Sequence, residues 1–133
     1  MGRRLNRVRD GYFEYKRMLN RVQELEAIAT KITPVLSDMP KGGSGNQDDK
    51  WARLADYKAK VQDKLNQYLL DCEELEEELD CIRSPRIRAA MKSKYIDVMQ
   101  TDDIARLIET DERYVYKLLA RGRKIYEETY KDF

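Results

Sequence analysis

Apolar side chains recur along this chain at helical intervals almost without a break. From Leu5, the positions Val8, Tyr12, Tyr15, Met18, Val22, Leu25, Ala29 and Ile32 follow at steps of three or four. That spacing keeps side chains on one face of an α-helix and predicts a long first helix over Leu5–Ile32. The stripe slips in phase between Tyr15 and Met18, and Gly11 is a weak point early in it. Residues 33–50, TPVLSDMPKGGSGNQDDK, then carry two prolines, three glycines and mostly polar neighbours. They read as a Gly/Ser-rich loop. A phosphate-cradling loop would need GxxxxGK[ST] between a strand and a helix, and that pattern is missing.

A second helix is predicted over Lys50–Ile82, capped by Asp48 or Asp49. Val61, Leu65, Tyr68, Cys72, Leu75, Leu79 and Ile82 alternate steps of four and three, the seam of a coiled coil. Trp51 and Leu54 extend it upstream, with Lys58 as a polar break. Two helices of this length joined by one loop most simply fold back as an antiparallel hairpin. Ser84-Pro85 then gives an N-cap followed by proline at the first helical position. The third helix runs to about Asp97, with Ile87, Met91 and Tyr95 on one face. Thr101, with Asp102 and Asp103, is expected to cap a short fourth helix through Ile108. A fifth begins at Thr110 or Asp111 and reaches about Tyr130. No segment alternates as a strand does, so the predicted class is all-α. The predicted organisation is a hairpin over residues 1–82 and a helix-turn-helix domain over residues 83–133.

Charge sharpens this picture. The 133 residues carry a net charge of only +1, although 38 % are charged. Residues 1–31 hold eight Lys/Arg against four acids, whereas residues 51–82 hold four against nine. Opposite signs on neighbouring helical segments predict that they pair. The run DCEELEEELD resembles a metal or acid/base site only if the heptad is ignored, because Leu75 and Leu79 belong to the seam. A solvated face or a partner for the basic first helix is the better reading. Residues 83–133 hold twelve bases against nine acids.

Several chemistries are excluded or disfavoured. Histidine is absent, which removes the commonest general base and metal ligand. Nucleophile motifs and cofactor loops are also missing, so no enzyme, metal site or cofactor is expected. Cys72 and Cys81 on one helix would lie about 13.5 Å apart along its axis, too far for a disulfide. No apolar run approaches the roughly 18 residues of a membrane span. MGRRLNRVRDGYF lacks a secretory core. No membrane partner is expected, and the default compartment is the cytoplasm.

The most informative stretch is DDIARLIETDERYVYKLLARGRK, residues 102–124. Ile104, small Ala105 and Ile108 give the short helix an apolar face. Val115, Leu118, Gly122 and Ile125 give the next one its inward face. Gly122 is unfavourable inside a helix by roughly 1 kcal/mol relative to Ala, which a close approach of another backbone would explain. The opposite face presents Arg113, Tyr116, Lys117, Ala120, Arg121 and Lys124. Long basic and aromatic side chains around one small residue supply donors for base edges and phosphates without blocking a DNA groove.

MKSKYIDVMQTDDIARLIETDERYVYKLLARGRKIY, from Met91 to Tyr126, resembles the helix-turn-helix of sigma-factor promoter-reading domains. It is more closely similar to the ArpU-like and RinA-like phage late transcriptional regulators. The resemblance rests on Lys94-Tyr95-Ile96, Asp102-Asp103-Ile104-Ala105, Ile108, Asp111 in the capping place and Val115-Tyr116-Lys117-Leu118. GGSG and the acidic heptad helix extend it upstream. Glu109 stands where such motifs commonly carry glycine, and Gly122 where they carry alanine.

The resemblance implies a DNA-binding regulator of phage or prophage late genes, working in a bacterial cytoplasm on double-stranded DNA. Arg113, Tyr116, Lys117 and Ala120 are expected to face base edges. Lys94, Thr101, Arg121, Arg123 and Lys124 are expected to meet phosphates. The hairpin is expected to set homodimerisation or to contact RNA polymerase. Two alternatives stand beside this reading: a small terminase-type DNA packaging subunit, and a coiled-coil adaptor that binds protein.

Overall fold

In the computed structural model, five α-helices follow in order: α1 Arg3–Ser37, α2 Ser44–Leu79, α3 Pro85–Tyr95, α4 Thr101–Leu107 and α5 Glu112–Tyr130. The structure describes the backbone of residues 3–37 and 44–130 and the side chains of residues 4–30 and 49–130. Among the described residues there is no strand, and the class is all-α. The first helix outruns the periodicity at both ends, whereas the second starts early and stops at Leu79, short of the predicted Ile82. α1 continues through Pro34 to Ser37. α2 starts at Ser44, ahead of the predicted start at Lys50. Residues 38–43 of the predicted loop, the Ile32 side chain and the Asp48 side chain lie outside the described residues. Asp49 is inside α2 instead of capping it, and its carboxylate lies 3.6 Å from Arg53.

The chain divides into two compact units, Tyr12–Gln67 and Met1–Gly11 with Tyr68–Phe133. In the Tyr12–Gln67 unit, Met18 and Val22 of α1 bury against Leu54 and Val61 of α2, with Tyr15, Leu25 and Tyr57 at the edge. The predicted polar break dissolves here. Lys58 is exposed and reaches Glu26 at 2.7 Å, while Tyr57 takes the inward place beside Leu54 and Val61. Lys64 lies 3.3 Å from Glu14. Trp51 departs from the predicted seam and is 41 % exposed.

In the other unit a single core gathers Leu5 and Val8 of α1, Leu75 and Leu79 of α2, Ile82, and the inner faces of α3, α4 and α5. The last seam residues of α2 thus bury against the C-terminal helices. The predicted charge pairing is present: Arg7 lies within 4.0 Å of Asp71, Glu74 and Glu78. Lys92 of α3 takes Glu76 at 3.0 Å and Asp80 at 2.7 Å. Cys72 and Cys81 are both free and half-buried.

Local signals start and stop the short helices. The Ser84 side chain accepts from the Ile87 N–H at 3.4 Å, and Pro85 opens α3. α4 begins differently from the prediction: its N-cap is Gln100, which makes no side-chain capping bond, and Thr101 is the first helical residue. Asp102 and Asp103 occupy the first turn and hold Arg106 at 3.4 and 2.6 Å. Asp111 caps α5 by accepting from the Tyr114 N–H at 2.7 Å.

Candidate nucleic-acid interface

The corner between α4 and α5 turns on Glu109, whose φ is 57°. The Thr110 N–H reaches the Ala105 carbonyl at 2.9 Å and the Glu109 N–H reaches Arg106 at 3.3 Å. This is the Schellman pattern, in which a left-handed residue lets the chain leave a helix with its last carbonyls satisfied. Glycine usually fills that place, so the departure noted in the sequence falls on the residue that carries the strain. A third helix braces the corner. Arg86 of α3 donates to the Ile108 carbonyl at 3.1 Å and lies over the Tyr114 ring, 5.9 Å from its centroid.

Packing fixes which face of α5 remains outside. Val115, Leu118, Leu119, Gly122 and Tyr126 are buried. A methyl group built on Gly122 would overlap Met91 Cγ and Sδ and lie 3.1 Å from Ile87 Cγ2. The close approach inferred from this glycine is therefore real, but the neighbours are side chains of α3. Ile125 is only partly buried.

The residues expected to face base edges, Arg113, Tyr116, Lys117 and Ala120, are all exposed, as are Arg121 and Lys124. At 100° per residue these six span an arc of about 140° and a length of about 16 Å. Between Arg113 and Lys124 the arc holds four cations and no acid, and Glu127 and Glu128 end it. Tyr116 is 60 % exposed, so its ring is available to stack or to touch a base edge. Asp111 and Glu112 flank Arg113 at a shallow surface depression.

The remaining predicted residues sit elsewhere. Arg123 lies beside the arc, half-buried, and donates to the Tyr95 hydroxyl at 3.3 Å. Lys94 is half-buried on α3, and burial together with the positive charges of Arg9 and Arg123 lowers its pKa. Thr101 is half-buried at the start of α4. A phosphate there would meet Asp102 and Asp103, so its electrostatics are the least favourable of the set.

Sequence reasoning missed the polar network that ties α1 to α5. Glu78 accepts from the Tyr126 hydroxyl at 2.6 Å, from Arg4 at 2.7 Å and from Arg7 at 3.2 Å. The Tyr130 hydroxyl donates to the Glu78 carbonyl at 3.3 Å, and Arg4 lies 4.8 Å from the centre of the Tyr130 ring. Burial pushes the Glu78 carboxyl up, but the hydrogen bonds from Arg4 and Tyr126 and the charge of Arg7 outweigh it and hold the carboxyl below its ordinary value. Burial, then the bond to Glu78, pushes the Tyr126 phenol up. The 48-residue separation of Glu78 and Tyr126 left no local signal of this contact.

Among the described residues, no group of three or more His, Cys, Asp or Glu side chains could hold a metal ion. No described helix is long and apolar enough to cross a membrane. No family model matches the chain, and no match to it was found among curated proteins or solved structures.

Proposed function

We propose that this protein is a sequence-specific DNA-binding regulator and that α4 and α5 form its helix-turn-helix. The observation that carries the reading is the exposed arc of α5. Four cations and Tyr116 surround the small Ala120 on a helix whose opposite side is locked into the core. In the major groove, Arg113 and Lys117 would donate to guanine edges, and Ala120 would leave room for a base pair. Arg121 and Lys124 would neutralise phosphates, with Arg123 and Lys94 at the flank and Thr101 contributing least. The resemblance to phage late regulators makes late phage or prophage genes the proposed targets in a bacterial cytoplasm.

The finer architecture belongs to the same proposal: α1 and α2 form an antiparallel hairpin ahead of the helix-turn-helix. Within the Tyr12–Gln67 unit, Glu14 pairs with Lys64 and Glu26 with Lys58, an order that runs in opposite directions along the two helices. Phe13 and Ile28, both 49 % exposed, and Trp51 support a protein partner for this unit, a second copy or RNA polymerase. Gel-shift of duplexes selected from genomic fragments tests the reading. Arg113→Ala and Lys117→Ala should each weaken the shift, and unchanged binding by both refutes it.

A further inference from the structure

Charge is sorted between the two sides of the Tyr12–Gln67 unit. A turn of about 100° per residue puts Leu19, Gln23 and Ala27 on one side of α1 and Glu14, Arg17, Arg21 and Glu24 on the other. On α2 it puts Trp51, Ala55, Ala59, Gln62 and Asn66 within one arc of about 80°, and Arg53, Asp56, Lys60 and Asp63 on the opposite side. All of these residues are exposed. Leu19 shares one shallow groove with Lys58, Gln62 and Leu65, which joins the two uncharged arcs into a single face. The groove on the other side has Lys50 and Arg53 at its rim. Lys58, in the uncharged face, is neutralised by Glu26 at 2.7 Å, and Lys16 stands at the edge over the Tyr12 ring. Gln62 donates to Asn66 at 3.0 Å. A helix face turned to water carries charged and polar residues, yet in a chain that is 38 % charged this face keeps charge out.

We propose that this uncharged face is a dimer interface whose occupant is the same face of a second copy of the chain. Charge complementarity selects the occupant. A nucleic acid or a strongly charged protein finds no counter-charge here and would bury its own charges unpaired. A matching partner brings an equally uncharged helical face, and every other copy of this chain supplies one. A two-fold axis then sets the face against itself in a closed, isologous pair. Ala55 and Ala59, one turn apart, let the paired helices come close, while Leu19 and Trp51 supply apolar anchors. The face is two helices wide, about 20 Å, and about 22 Å long from Trp51 to Asn66. Two such faces cover about 900 Å² even as flat sheets, to which side-chain relief adds, against the roughly 1,000 Å² of a specific interface. The dimer settles on one protein partner within the reading above and does not depend on DNA binding.

The test is analytical ultracentrifugation of the full chain over a concentration series, without DNA. The parent should pass from monomer to dimer as concentration rises. Ala59→Glu should weaken that association about tenfold or more, because each copy would bury an unpaired carboxylate. Lys60→Glu, on the charged side, should leave it unchanged. Circular dichroism checks that each variant keeps the parent's helix content, and Ala55→Glu takes the place of Ala59→Glu if the latter loses it. A parent that stays monomeric throughout, an Ala59→Glu dimer as tight as the parent's, or equal weakening by Lys60→Glu overturns the proposal. Capture of RNA polymerase through this face by a monomeric parent also overturns it. Duplex binding is measured separately: a dimer that binds no DNA keeps this interface and ends the DNA reading, whereas a monomer that binds DNA does the reverse.

Discussion

Substitution of Gly122 by alanine separates two physical effects of opposite sign. On an open helix surface Gly→Ala stabilises by about 1 kcal/mol. Here the added methyl would overlap Met91 Cγ and Sδ and lie 3.1 Å from Ile87 Cγ2. Met91 is fully buried and Ile87 is 8 % exposed, so neither can swing into solvent. Overpacking of a closed core costs about 1–3 kcal/mol. The gain in helix propensity offsets about 1 kcal/mol of that, and the severity of the overlap places the cost at the upper end of its range. Gly122→Ala should therefore destabilise by about 1–2 kcal/mol, read as a lower urea midpoint with unchanged slope in circular dichroism. Met91→Ala alone should cost about 2–5 kcal/mol. The double variant should lose less than the sum of the two, because the methyl enters the space Met91 vacates. Stabilisation by Gly122→Ala, or strict additivity with Met91→Ala, would refute the close packing of α3 on α5.

The remaining predictions concern the corner, the polar network and the α5 cap. Glu109→Gly should raise the melting temperature, because relieving a left-handed residue gains about 1–2 kcal/mol against an entropic loss of about 0.5–1 kcal/mol; a fall would contradict the φ of 57°. Glu78→Gln should cost on the order of 2 kcal/mol at neutral pH, since Arg4, Arg7 and Tyr126 lose a charged acceptor. The folded-state pKa of Glu78 is lowered, so its stabilisation is full above the ordinary carboxylate value and is lost as pH falls through the folded one. Acid titration of the variant should therefore show a shallower loss of stability than the parent, and parallel curves would argue against the network. The folded-state pKa of Tyr126 is raised, so its contribution is complete below the ordinary phenol value and declines as pH rises above it; Tyr126→Phe should flatten this alkaline limb in the same denaturation assay. Asp111→Ala should cost about 1 kcal/mol by removing the cap of α5, and thermal melting checks it.

What could be read from the sequence was what repeats along a helix. Leu5, Val8, Met18, Val22 and Ala29 are buried as their spacing predicts, because periodicity is a local property of one helix. The buried and exposed sides of α5 were legible for the same reason. A strict heptad puts Lys58 in the seam as its polar break, whereas Tyr57 turns in beside Leu54 and Lys58 stays exposed. Composition points to Thr101 as the cap, but a cap is defined by backbone geometry, and Gln100 has it. Val98, with a φ of 54°, was invisible because β-branched residues rarely adopt that conformation. Arg86 on the Ile108 carbonyl and Glu78 on Tyr126 join residues far apart in sequence. No spacing rule reaches such pairs, so the braces that hold the candidate interface emerged only with the fold.

The central claim is that the exposed arc of α5 reads double-stranded DNA. Fluorescence anisotropy of a selected duplex across a salt series tests it most directly, with the parent chain beside Arg113→Ala and Lys124→Ala. The account predicts salt-sensitive binding by the parent. It predicts that Arg113→Ala loses about 1–3 kcal/mol on the selected sequence and little on random DNA. Lys124→Ala should weaken both alike and lower the salt slope by about 0.9. A parent chain with no salt-sensitive affinity for any duplex would contradict the claim.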